Sequence, residues 1–143
     1  MAKRILLQLD RSDAARSVLP FVADMARSSG ASMRLVHVAP VPTERRADDG
    51  RIVAYASQEM ERIEAARLES LKLAEAELEG VPVESVIRFG KPAQEILREA
   101  DAFGADLIAV TSERRGWLQR MLGGVIGKLF RQSVVPVLVL ATR

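Results

Sequence analysis

The sequence contains no cysteine, which rules out a disulfide framework and a thiolate metal site and fits a reducing compartment. A single histidine, His37, leaves imidazole-based metal centres and Ser-His-Asp catalysis almost nothing to work with. Long apolar runs are lacking too. The opening Met1-Ala2-Lys3-Arg4 leads into only five mostly apolar residues before Asp10, too few for a signal-peptide core. No stretch approaches a membrane span, so a cytoplasmic protein without membrane contact is expected. The net charge of +2 is too small to argue for a nucleic-acid partner. Internal repeats and low-complexity segments are absent as well.

What is present is the ordinary balance of a folded soluble protein: 48% hydrophobic and 28% charged residues. At 143 residues the chain fits one domain, residues 1–143, with a substantial core. Its charge is unevenly spread. From Thr111 to Gln132, five basic residues (Arg114, Arg115, Arg120, Lys128 and Arg131) face one acid, Glu113. The strip reads either as a solvated helix face or as a local attraction for an anion.

The run from Arg4 to Asp10 reads as a short buried strand. Ser12 is a good N-cap, and Val18, Leu19, Val22, Met25 and Ala26 recur at helical spacing up to the stop at Gly30. Ser32 to Val38 forms a second strand. Pro40 to Gly50 reads as a mobile loop, and a long helix is expected from about Val53 to Glu79. Its apolar stripe comprises Met60, Ile63, Ala66, Leu68, Leu71, Leu73 and Leu78. Val83 to Arg88 alternates like a strand at a sheet edge. Pro92 opens a helix that Gly104 stops after Phe103. Asp106 to Thr111 is a strand, a helix spans about Leu122 to Gln132, and Pro136 to Leu140 is the closing strand. Strands alternating with helices predict an α/β fold with a parallel sheet covered on both faces.

Three doubly wound families fail on the residues they need. The turn after the first strand, Asp10-Arg11-Ser12-Asp13, has no glycine for a dinucleotide fingerprint. Gly127-Lys128 is followed by Leu129 rather than the Ser or Thr of a P-loop. The third strand ends Arg88-Phe89-Gly90, without the aspartate of a phospho-acceptor receiver.

The remaining pattern resembles the universal stress protein family nearly end to end. Ile5 to Ser12 matches its opening strand, aspartate and capped helix, and His37-Val38 matches the end of its second strand. Gly90-Lys-Pro92-Ala93-Gln-Glu-Ile96 matches Gly-x-Pro-Ala-x-x-Ile. Ala105 to Ile108 and Pro136 to Val139 complete the series. Each piece alone is weak, but their order and gaps are specific. The resemblance implies a three-layer α/β/α fold of the adenine nucleotide alpha hydrolase-like type. Its five-stranded parallel sheet would have the order 3-2-1-4-5, with a ligand crevice between strands 1 and 4.

Many family members bind ATP through Gly-x-x-Gly-x(9)-Gly-Ser/Thr after strand 4, where backbone amides and a helix N-terminus meet the phosphates. By resemblance the nucleotide-binding positions here are Gln8, Leu9, Asp10, Val38, Val110, Thr111, Arg114, Gly123, Gly124 and Val125. Thr111 and Arg114 stand where the first two glycines belong. The spacing to the final pair is one residue short if Leu118 to Leu122 is aligned with the family's apolar-basic run. That pair is then Gly123-Gly124, without the terminal hydroxyl. A side chain at such a position costs on the order of 1 kcal/mol or blocks the ligand. Arg114 and Arg115 could supply by charge what the lost amides supplied. Two outcomes stay open: retained ATP binding, or an altered or absent nucleotide preference.

Asp10 lies near the ribose and phosphates in nucleotide-binding members, or simply ends the strand and bonds the next turn's amides. It would hold Mg²⁺ only as part of Mg-ATP, and no metal site stands otherwise. Val38 and Val110 lie beside the adenine or in plain core, and Gly123-Gly124 may be read as a tight turn. His37 reads as a satisfied, half-buried residue. Trp117 either caps the pocket or packs in a subunit interface. No catalytic residue is assigned, and slow ATP hydrolysis is the enzymatic alternative. The resemblance further implies a homodimer paired through Pro136 to Leu140. A nucleotide-free module docking an acidic protein partner on its basic strip is a third reading.

Overall fold

The structure, a computed structural model, describes residues 2–9, 16–113 and 124–142. Strands β1 (Arg4–Gln8), β2 (Ser32–Ala39), β5 (Val83–Phe89), β6 (Leu107–Glu113) and β7 (Val137–Thr142) form one parallel sheet. Its order is β5-β2-β1-β6-β7, which is the expected 3-2-1-4-5 in order of the five sheet strands. β1 is central because it is apolar on both faces: Ile5, Leu6 and Leu7 are all fully buried. Ile5 and Leu7 pack under helices α1 (Leu19–Ser29) and α2 (Ala56–Ala76), with Leu19, Val22, Leu71 and Ala74. Leu6 points the other way, into the layer of α3 (Pro92–Phe103) and α4 (Val125–Gln132), with Ile96, Phe103, Ile126 and Leu129. Strand alternation thus produces the three layers.

Helix ends follow the sequence signals. Pro92 occupies the first turn of α3, and Gly30 and Gly104 close α1 and α3 in the left-handed conformation. The N-cap expected at Ser12 lies outside the described residues, and regular α1 begins at Leu19 with Pro20 in its first turn. The start expected near Leu122 also lies outside them, and α4 begins at Val125 behind Gly124. β5 is a sheet edge, as its alternation predicts.

Other boundaries differ. The segment from Pro40 to Gly50 is not simply a loop. β3 (Arg45–Arg46) pairs antiparallel with β4 (Ile52–Ala54), closed by an Ala47 N–H donated to Arg51 O at 2.8 Å. Strands this short carry no readable period. The long helix therefore starts after Val53, at Ala56, where Gln58 Oε1 accepts from Tyr55 N at 2.9 Å. It ends at Ala76, short of Glu79. Ala66 and Leu73 of the expected stripe are exposed, while Leu71, Ala74 and Leu78 are buried. Asp106 precedes β6 instead of opening it, and Pro136 precedes β7. The Asp106 carboxylate accepts from Lys3 N and Arg4 N, at 2.9 and 3.0 Å. Among the described residues, no helix is long and apolar enough to cross a membrane.

Candidate functional site

Gln8 pairs with Val110 where β1 and β6 end, at the point where the sheet order reverses direction. Connections leave this end in opposite senses and open a crevice. It holds a cavity of about 420 Å³, within the range of small-ligand pockets. Gln8, His37, Val38, Val110, Thr111 and Ser112 form its floor, supplied by the carboxyl ends of β1, β2 and β6. Pro92 and Ile96 of α3 form one wall, and Gly124, Val125 and Ile126 at the start of α4 form another. The lining is mainly aliphatic, with an amide, an imidazole and two hydroxyls set into it. Such a surface suits a flat, weakly polar ring with hydrogen-bonding edges.

Several wall groups are fixed by neighbours. Thr111 Oγ1 donates to Gln8 O at 3.4 Å, spanning the two central strands. His37 is half-buried, and its Nδ1–H donates to Leu9 O at 3.3 Å, which sets the ring's tautomer. Gly124 adopts an extended conformation at the N-cap of α4 and offers no side chain to the first amides of that helix.

Six of the ten expected positions therefore meet around one cavity: Gln8, Val38, Val110, Thr111, Gly124 and Val125. Leu9 does not line it, because its side chain is buried in the core beneath α1 and α2. Asp10, Arg114 and Gly123 lie outside the described residues, as does Trp117. Sequence reasoning missed the walls Pro92, Ile96 and Ile126, and the polar Ser112. The Gly-x-Pro-Ala-x-x-Ile run carried a signal for two of them, since it places Pro92 and Ile96 one turn apart on α3.

A groove of about 460 Å³ lies at the opposite end of the sheet, beside Arg4, Arg34, Glu84 and Phe103. Its guanidinium groups are already engaged: Arg4 Nη1 donates to Phe103 O at 2.9 Å, and Arg34 is held by Glu84 and Glu99. The switch-point cavity is the better candidate. Among the described residues, no group of three or more His, Cys, Asp or Glu side chains is placed to hold a metal.

A family model described as the Universal stress protein family matches residues 1–141. The chain belongs to the universal stress protein family. Universal stress protein YxiE of Bacillus subtilis (strain 168) is 30% identical over 146 residues, covering 97% of this chain and 99% of that protein. Among solved structures, a universal stress protein in complex with cAMP shares the fold with a TM-score of 0.70 at 19% identity, covering 98% and 97% of the two chains. The universal stress protein from Archaeoglobus fulgidus in complex with dAMP has a TM-score of 0.64 at 24% identity, covering 99% and 98%. Both structural likenesses concern the fold.

Proposed function

We propose that this universal stress protein acts by binding an adenine nucleotide in the switch-point cavity, as a single domain and without turning it over. The observation that carries the reading is the meeting of Gln8, Val38, Val110, Thr111, Gly124 and Val125 around one cavity of about 420 Å³. Val38, Val110 and Val125 supply faces for the purine, and Gln8, Thr111 and Ser112 supply partners for its edge or for the ribose. Two proteins of the same fold were solved with the adenine nucleotides cAMP and dAMP, which supports the same ligand class here. ATP is one candidate. If it enters as Mg-ATP, the metal comes with the nucleotide, and Asp10 is the carboxylate that would meet it.

The experiment is a calorimetric titration with ATP, ADP, AMP and cAMP. Binding of at least one at micromolar to millimolar concentration is expected, and uniform absence overturns the reading. Phosphate release from ATP above the uncatalysed rate would overturn the non-enzymatic part.

The homodimer belongs to the same proposal, through the segment Pro136 to Leu140. β7 is the sheet edge opposite β5, and its sequence Val-Leu-Val-Leu-Ala-Thr carries no charge. β5, by contrast, is protected by Glu84 and Arg88. An uncharged apolar edge strand favours pairing with a second copy. A cytoplasmic site of action accords with the cysteine-free sequence.

A further inference from the structure

We infer that a second compartment, between α3 and α4, takes the anionic end of the ligand whose ring occupies the switch-point cavity. This rests on the adenine-nucleotide reading above and specifies where the phosphate lies. A groove of about 390 Å³ adjoins the cavity, and Pro92 and Val125 line both. The two spaces are therefore compartments of one trough, divided only by that pair of side chains. Their chemistry differs sharply. The first is mainly aliphatic, whereas the second presents Lys91, Lys128, Gln94 and Gln132.

No carboxylate lines the second compartment among the described residues. Lys91 and Lys128 are both exposed, and neither has a carboxylate partner there. This contrasts with the arginines of α3 and β5, which are each paired with glutamate. Two unpaired ammonium groups across a groove, one at the start of α3 and one on α4, attract a group carrying more than one negative charge. Gln94 and Gln132 add amide donors at the same place. The ligand class is thus a purine nucleotide with a polyphosphate that crosses Pro92 and Val125 to reach the lysines.

The test is calorimetric titration of adenosine and ATP into the wild-type protein, the K91Q/K128Q variant and the K91R/K128R variant. Wild type is expected to bind ATP more tightly than adenosine. K91Q/K128Q should lose about tenfold in ATP affinity, the product of two exposed charge contacts, with adenosine affinity unchanged. K91R/K128R should retain ATP binding, and raised salt should weaken ATP on wild type more than on K91Q/K128Q. Equal ATP affinity in wild type and K91Q/K128Q overturns the inference and leaves the purine pocket standing. Failure of adenosine and ATP alike to bind wild type overturns the pocket reading, and the inference with it.

Discussion

Arg88 Nε donates to Glu95 Oε2 at 2.9 Å, fastening the edge strand β5 to the first turn of α3. Its Nη1 reaches Glu99 Oε2, one helical turn further on, at 2.5 Å. Arg34 of β2 donates to Glu99 Oε1 at 2.7 Å, and Arg98 to Glu95 Oε1 at 2.8 Å. Both carboxylates are buried, and each is held between two guanidinium groups. Removing one arginine leaves each glutamate a partner, whereas removing Glu99 strips a shared counter-charge from two arginines. Glu99→Ala should therefore cost about 3–5 kcal/mol, and Arg88→Ala distinctly less. Urea unfolding of both variants checks the order, and an equal or reversed ranking would contradict it.

The same contacts set the acid limit of stability. The hydrogen bond from Arg88 holds the Glu95 carboxyl below its ordinary range, against the opposing effect of burial. Asp106 is lowered in the same sense, first by the Lys3 amide and then by that of Arg4, while burial opposes. Depressed carboxyl values in the folded state mean that the unfolded chain takes up protons first as pH falls. Their stabilisation is complete above the unfolded values, about 4.3 for Glu and 3.9 for Asp, and is lost as pH drops through the lower folded values. The urea midpoint should hold from neutrality to about pH 5 and then fall. Glu95→Gln and Asp106→Asn should each flatten that fall, and an acid limb unaltered in both would sink the assignment.

Gly90 joins β5 to α3 at a φ of 144°, a conformation side chains rarely adopt. A Cβ there would lie 2.8 Å from Glu95 Oε1 and 3.0 Å from Glu95 Cγ. Gly90→Ala should cost about 1–3 kcal/mol from backbone strain, with a further loss as Glu95 is pushed off Arg88. In a Glu95→Ala background the steric part disappears, so the cost of Gly90→Ala should shrink. A double-mutant cycle by thermal unfolding measures this, and strict additivity would show that the clash is irrelevant.

Much of this arrangement was legible where the signal is local. Pro92 and Gly104 delimit α3 without reference to the rest of the fold, and the alternation of Val83 to Arg88 betrays an edge strand. Gly90 and Pro92 marked the motif as well, but not the reason for it, because that reason is Glu95 tucked beneath the turn. Glu95 and Glu99 would pass for a solvated helix face. Arg34, which neutralises Glu99, stands 65 residues earlier, and no periodicity reports such a pairing. The α2 stripe failed in a related way. Its buried row runs through Leu71, Ala74 and Leu78, and half-buried Arg67 sits on the same side, so counting apolar letters drew in exposed Leu73. The cavity floor was found from strand order, while the wall residue Ile126 is plain core to any reading of the sequence.

The open edge of β7 offers a last test of the proposed dimer. Ile108 N donates to Pro136 O at 3.0 Å, with Ile108 in register with Val137. In a parallel ladder this turns the backbone groups of Leu138 and Leu140 towards β6, and those of Val137, Val139 and Ala141 towards the free edge. Proline at position 139 would thus remove an edge donor while sparing the bonds to β6, a placement that sheets tolerate. Val139→Pro should sediment as a monomer with the far-ultraviolet circular dichroism of the wild type. Leu138→Pro breaks the ladder itself and should unfold the protein or lower its melting temperature sharply. A Val139→Pro protein that remains dimeric would place the contact elsewhere, and a wild type that is monomeric at micromolar concentration would remove the dimer altogether.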